Sequence, residues 1–265
     1  YMIDFDSFLS EYKNILANIF KKENETNDDA LERGISQDNL TEIFKSTPLA
    51  SFIPSEHGGY GGHTAEALSM LEASSYESLP LSLMMGINGA LFLQPIANYG
   101  TEAAKNDVFS RVINNGKMGG LMITEPDYGS EALKMQTSVE YNASNQHYSV
   151  KGTKHWAGLT GIADYWIMTA REKNSQGELG RDVSFFVHDS RNGGIEVKEY
   201  YNNLGLYMLP YGRNKIDINV PASHKLTPKG TGITLMLDLL HRSRLQFPGM
   251  GLSLIHISEP TRLSG

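Results

Sequence analysis

GGLMITEPDYGSEALKMQT, Gly119–Thr137, and VKGTKHWAGLTGIADYWIMTAR, Val150–Arg171, mark the place where the chain changes character. The first stretch begins as a β-like run, stops at Thr-Glu-Pro and turns through Gly129 and Ser130. The second reads as a strand, a turn and a strand, with Trp156 where the first of these strands ends. Outward from them, QTSVEYN, VSFFVHD, IEVKEYY and NKIDINV are short, rich in β-branched and aromatic residues, and separated by turn formers. This half of the chain is expected to form an antiparallel β-barrel-like domain.

Upstream the period is helical. Phe5, Phe8, Leu9, Tyr12, Ile15, Leu16, Ile19 and Phe20 recur every three or four residues, which places them on one face of a helix. A polar loop is expected from Lys21 to Asp29, and then a short helix over Asp38–Phe44. Four glycines crowd FIPSEHGGYGG and mark tight turns. Helices are predicted for Thr64–Tyr76, Leu81–Asn98 and Glu102–Asn114, with Gly100 as a left-handed cap. Downstream of the linker SHKLTPKGTG, Ile233–Leu245 returns to helical spacing with Leu235, Leu239 and Leu240 in need of a partner. The fold class is therefore α+β. An N-terminal helical domain (1–117) leads into a middle β domain (118–229), and a third helical unit (230–251) follows, expected to be the first helix of a C-terminal helical bundle that is otherwise missing.

Composition narrows the function. The chain has 265 residues, 40% of them hydrophobic, enough for a sizeable core. A formal charge of -7 and the lack of any Lys/Arg run argue against a nucleic-acid surface. The absence of cysteine removes thiolate catalysis and disulfides, and the eight histidines show no ligand spacing, so no metal site is expected. The most apolar stretch, Leu79–Ile96, is interrupted by Pro80, Gly86, Asn88, Gly89 and Pro95, and no membrane span is expected. The early acids Asp4, Asp6 and Glu11 do not suit a secretory signal, so a cytoplasmic protein is expected.

A strand that ends in a Gly-Ser turn offers backbone amides and hydroxyls, here Thr124 and Ser130, to the polar edge and pyrophosphate of a flavin. A tryptophan at the end of a neighbouring strand can cover the ring system. Each residue also has an ordinary use: Thr124 as a strand-end cap, Ser130 as a turn hydroxyl, Trp156 as core packing. Their joint occurrence favours the cofactor.

ITEPDYGSE followed by KGTKHWAGLTGIADYW resembles the paired flavin-binding signatures of the acyl-CoA dehydrogenases, and FIPSEHGGYGG and QPIANYGTEAAKNDVFSRVINNGKMGG are similar to segments of that family upstream. The resemblance runs from about Ile3 to Gly251. It implies FAD as cofactor, an acyl-CoA as substrate, and a glutamate that removes the α-proton while hydride passes to the flavin, giving a trans-2-enoyl-CoA. It also implies an electron-transfer flavoprotein or similar acceptor and a homodimer or homotetramer for the full-length protein. Carried over by position, Leu121, Ile123 and Thr124 would touch the flavin ring, Gly129 and Ser130 the pyrophosphate side and the CoA channel, and Trp156 the dimethylbenzene side, with Ala157 and Gly158 adjoining. Arg244 matches an arginine that helps order the active site and the substrate.

There are departures. Trp156-Ala157-Gly158 stands where the family commonly has tryptophan-isoleucine-threonine, with the threonine hydroxyl near flavin N5. Tyr128 replaces a small residue, and Glu131 an aspartate. The family's catalytic base is expected to lie outside this chain, with Glu125 structural. The last stretch, LSLIHISEPTRLSG (252–265), resembles translated sequencing-adapter sequence and is expected to be foreign to the fold. A related flavin oxidase, a carrier-protein-linked dehydrogenase and a non-catalytic binding module remain as alternatives.

Overall fold

The computed structural model describes residues 4–25 and 35–258. Helix α1 (Phe5–Glu25) buries Phe8, Tyr12, Leu16, Ile19 and Phe20, the face its spacing predicts. It runs through the first part of the expected Lys21–Asp29 loop, whose remainder lies outside the described residues. Helix α2 (Gln37–Phe44) starts at Ser36, whose hydroxyl accepts from the Asn39 amide at 3.2 Å. Helix α3 (Thr64–Glu77) is tied to α1 by a buried hydrogen bond of 2.8 Å between the Tyr12 and Ser74 hydroxyls.

Helix α4 (Leu79–Gly86) passes through a π-helical turn, Ile87–Leu93, into α5 (Gln94–Tyr99). Together these 21 residues, with a mean hydropathy of 1.4, are long and apolar enough to cross a membrane, contrary to the expectation from their interrupting residues. In the fold 67% of the span is buried within the protein, with Leu81, Met84, Met85, Phe92 and Leu93 wholly inside. It serves as the central core helix. The π turn is served by Asn88, which donates to the Met84 carbonyl at 2.9 Å and accepts from the Gly119 amide at 2.7 Å. Asn88→Leu is expected to take the side-chain acceptor from the buried Gly119 amide, while the Met84 carbonyl keeps the Ile87 amide, and to cost about 2 kcal/mol in urea unfolding. A change below about 0.5 kcal/mol would contradict that role.

Helix α6 (Glu102–Asn115) is capped by Thr101, and Gly116 at φ 60 ends it in the left-handed region. That is the conformation expected of Gly100, which instead is extended at φ -73 and ψ 149. The difference arises because Thr101 must lead directly into α6, so the chain has to straighten rather than reverse after Tyr99.

The β domain is one curled sheet. Its strands are β1 (Gly119–Met122), β2 (Ser138–Asn142), β3 (His147–Gly158), β4 (Tyr165–Glu172), β5 (Ser184–Asp189), β6 (Ile195–Tyr200) and β7 (Tyr211–Pro221). The order is β1-β4-β2-β3-β7-β6, with β5 also on β4. β3 pairs with β2 and β7 antiparallel, as do β4 with β5 and β6 with β7, whereas β1 and β2 run parallel to β4. The sheet is thus mixed rather than wholly antiparallel. β7 buries alternate residues, as a strand with one wet face should, but β4 is buried from Tyr165 to Ala170 without alternation. β3 and β4 also do not form the expected hairpin: the turn after Gly158 delivers the chain to a different part of the sheet.

Helix α7 (Gly232–Ser258) is longer than its periodicity predicts, running through Pro248 and past Gly251, so residues 252–258 continue it and 259–265 lie outside the described residues. It packs on α3 and the π turn, burying Leu235, Met236, Leu239 and Met250. Leu237, Leu245, Phe247, Leu252 and Ile255 stay exposed, and Leu240 is partly so. The partner that Leu235 and Leu239 require is therefore within the described chain.

Candidate functional site

β1 delivers Ile123 and Thr124 to a tight turn in which the Glu125 and Tyr128 backbones bond reciprocally. Pro126, Asp127, Gly129 and Ser130 are exposed, while Glu125 points inward and is 4% exposed. Its carboxylate accepts from the Gln136 amide at 2.6 Å, the Thr137 amide at 2.9 Å and the Thr137 hydroxyl. It also pairs at 3.0 Å with Lys154, which rises from β3 and is fully buried. The Lys154 ammonium completes its contacts on the Ile123 carbonyl at 3.0 Å and the Thr169 hydroxyl at 3.1 Å. Burial pushes the Glu125 pKa up, but Lys154, Thr137 and Gln136 more than offset this and leave it lowered. Burial pulls Lys154 down to about 8 against the opposing pull of Glu125. The pair closes the base of the 125–137 loop and fixes the carbonyl immediately before Thr124.

The second segment meets the first at His155, whose amide donates to the Thr124 carbonyl at 2.8 Å. There β3 bulges between Lys154 and Ala157, and Trp156 adopts φ 54, a left-handed conformation that a non-glycine residue holds only where its surroundings enforce it. The bulge swings the indole outward, 50% exposed. The His155 Nδ1 hydrogen-bonds the Tyr201 hydroxyl, and the Tyr201 ring lies 4.6 Å from that of Trp156. Burial, with Arg213 nearby, lowers the His155 pKa, favouring a neutral imidazole in this contact. β3 then resumes through Ala157, which is buried and bonded through its carbonyl to the Thr160 hydroxyl at 2.7 Å.

A β-carbon placed on Gly158 would lie 2.8 Å from Ile87 Cδ1 and 3.2 Å from the Tyr211 ring, so a side chain here would have to displace the Ile87 tip. One on Gly129 would meet nothing within 4 Å. Leu121 and Ile123 are half-buried against the core. Tyr128 is half-buried, and Glu131 is exposed and paired with Lys134 at 2.6 Å.

The structure thus brings Thr124 to the residue preceding Trp156, and joins Gly158 to the helical domain through Ile87. Arg244 is exposed on α7, and Arg242 is the arginine held in place, 2.8 Å from Asp238, which also accepts from the Tyr99 hydroxyl at 2.9 Å. Lys154, Tyr201, Tyr211 and Ile87 escape sequence reasoning. Lys154 alone left a trace, as a charge in a strand position that alternation places inward.

Residues 13–116 match the acyl-CoA dehydrogenase N-terminal domain, and residues 120–217 the acyl-CoA dehydrogenase middle domain. The chain belongs to the acyl-CoA dehydrogenase family. The rat very long-chain specific acyl-CoA dehydrogenase of mitochondria is 24% identical over 242 residues, which are 89% of this chain and 37% of that protein. The butyryl-CoA dehydrogenase of Megasphaera elsdenii superposes with a TM-score of 0.81 at 19% identity, over 97% of this chain and 67% of that one. A prolyl acyl carrier protein oxidase superposes equally well, with a TM-score of 0.81 at 18% identity over 98% and 69% of the two chains. The chain therefore spans just over a third of the length of the curated relative, and its helical domain, curled mixed sheet and opening C-terminal helix have the architecture of the family's solved structures.

Proposed function

We propose that this chain forms the flavin-contacting part of an FAD-dependent dehydrogenase that converts an acyl-CoA thioester to the trans-2-enoyl-CoA. What supports this best is the Thr124–His155 backbone bond, which joins two sequence-distant segments at one edge and leaves the Trp156 indole half-exposed beside it. The residues fit the cofactor. The Trp156 face is open to a planar ring, the surface at Gly129 is unobstructed, and the Ser130 hydroxyl is exposed for a phosphate or for CoA.

Leu121, Ile123, Thr124, Trp156, Ala157 and Gly158 would hold the ring, and Gly129 and Ser130 the pyrophosphate, with FAD supplying the two-electron sink that the reaction requires. The chain's own contribution is positioning. Lys154 and Glu125 fix the Ile123–Thr124 backbone, the bulge orients Trp156, and Ile87 closes the site from the helical side. Glu125 is committed to Lys154 and three further donors, so the base that removes the α-proton is assigned to a residue outside those described. Ser130 and Arg244 are assigned to the substrate. An electron-transfer flavoprotein or similar acceptor, assembly as a homodimer or homotetramer and a cytoplasmic setting complete the proposal.

The complete gene product is expected to purify yellow and to bleach when a saturated acyl-CoA is added without oxygen. A folded, colourless protein that ignores added FAD would overturn the proposal. Bleaching by an acyl group on a carrier protein but not by any acyl-CoA would shift it to the carrier-linked chemistry known on this architecture.

A further inference from the structure

Gly158 leaves a stretch of the site wall with no side chain of its own. Its direct register partner across the β3–β7 ladder is Tyr211, and cross-strand partners project from the same face of a sheet. The Tyr211 ring accordingly covers the space, its Cε1 and Cζ lying 3.2 and 3.6 Å from where a β-carbon on Gly158 would stand. The same ring meets the Trp156 indole edge-on at 6.2 Å. Tyr211 therefore bridges the exposed indole and the bare glycine.

The Tyr211 hydroxyl has no hydrogen-bond partner among the described residues. Five other tyrosines have hydroxyl partners: Tyr12 bonds Ser74, Tyr60 bonds Thr47, Tyr99 bonds Asp238, Tyr165 bonds Arg111 and Tyr201 bonds His155. Burial alone raises the Tyr211 pKa, so at neutral pH the group is an O–H donor and not a phenolate. The hydroxyl is not among the enclosed side-chain atoms without a partner, so it opens to solvent beside Trp156 and Gly158 and is free to meet an acceptor that a ligand brings.

We propose that the Tyr211 hydroxyl donates a hydrogen bond to the polar edge of the flavin ring where it passes Gly158, making Tyr211 a further cofactor-contacting residue. The proposal rests on the assignment of FAD to this site. The ring edge carries nitrogen and carbonyl acceptors whose negative charge grows on reduction, so the donor favours the reduced form more than the oxidised one. Position 158 has no side-chain donor, and Tyr211 supplies one from the neighbouring strand.

Tyr211→Phe keeps the ring over Gly158 and deletes only the hydroxyl. In the full-length protein it is expected to bind oxidised FAD about fivefold more weakly, to make the flavin midpoint potential more negative, and to leave the thermal midpoint of the cofactor-free protein unchanged. A variant that matches wild type in both FAD affinity and potential overturns the inference and leaves the FAD assignment standing. Wild type that fails to bind FAD overturns both. If the variant does not fold, 3-fluorotyrosine placed at position 211 of the otherwise unaltered protein must shift its fluorine resonance when FAD is added, and an unmoved resonance overturns the inference.

Discussion

Glu125→Gln is expected to lose about 3–5 kcal/mol of stability at pH 6, because it removes the charge that compensates the fully buried Lys154 ammonium and turns an amide NH2 toward the donors of Gln136 and Thr137. The reverse change, Lys154→Met, should cost less, since the Glu125 carboxylate keeps the Gln136 and Thr137 amides and the Thr137 hydroxyl. The pH dependence has a definite sign. Lys154 titrates at about 8 in the folded protein and 10.5 when unfolded, so between those values the unfolded chain binds more protons and stability rises with pH. Removing Glu125 removes what holds the Lys154 pKa up. The rise should then begin below pH 8, and the deficit of Glu125→Gln should shrink from pH 6 toward pH 9. Urea unfolding across that range measures it, and a deficit below about 1 kcal/mol at pH 6 would mean that the pair is not the anchor of the loop. The same variant should bind FAD weakly, because the carbonyl before Thr124 loses its fixed position.

Gly232→Ala should cost about 3 kcal/mol or more, since its β-carbon would stand 1.4 Å from the Val183 carbonyl oxygen, with backbone on both sides of the clash. The first turn of α7 is held there by Asp182, which accepts from the Gly232 amide at 3.0 Å and the Ile233 amide at 3.1 Å. Moving that turn pulls Leu235, Met236 and Leu239 from the core, so increased binding of a hydrophobic dye should accompany the loss. Gly230→Ala is the control. Its β-carbon would approach nothing closer than 3.5 Å, and a change within about 0.5 kcal/mol is expected. Equal effects at the two positions would show that the close packing of α7 on the β5 strand end does not matter.

Particular residues show how far sequence patterns reach. Phe8, Tyr12, Leu16 and Ile19 were legible as one buried face because the helical period is local and each turn repeats it. The six later strands were legible for the same reason. Strand direction was not, because alternation reports which face is wet and says nothing of the neighbour's polarity; only the unbroken burial of β4 hints at its parallel partners. The continuation of α7 through Pro248 was hidden, since proline and glycine count against a helix whose packing then compensates for them. In the site, Thr124, Ser130 and Trp156 stood out by the motifs that carry them. Tyr211 did not, because nothing local distinguishes a tyrosine whose hydroxyl lacks a partner.

The sequence by itself determined the helical and β halves, the two segments that meet at the site, and the bare position at Gly158. These follow from local period, turn chemistry and residue identity. Only the tertiary structure decided that Lys154 reaches Glu125 across 29 residues, that a bulge turns Trp156 outward, and that Ile87 and Tyr211 close over Gly158. Each of these depends on where separate elements stop against one another, which packing sets and no stretch of sequence contains alone.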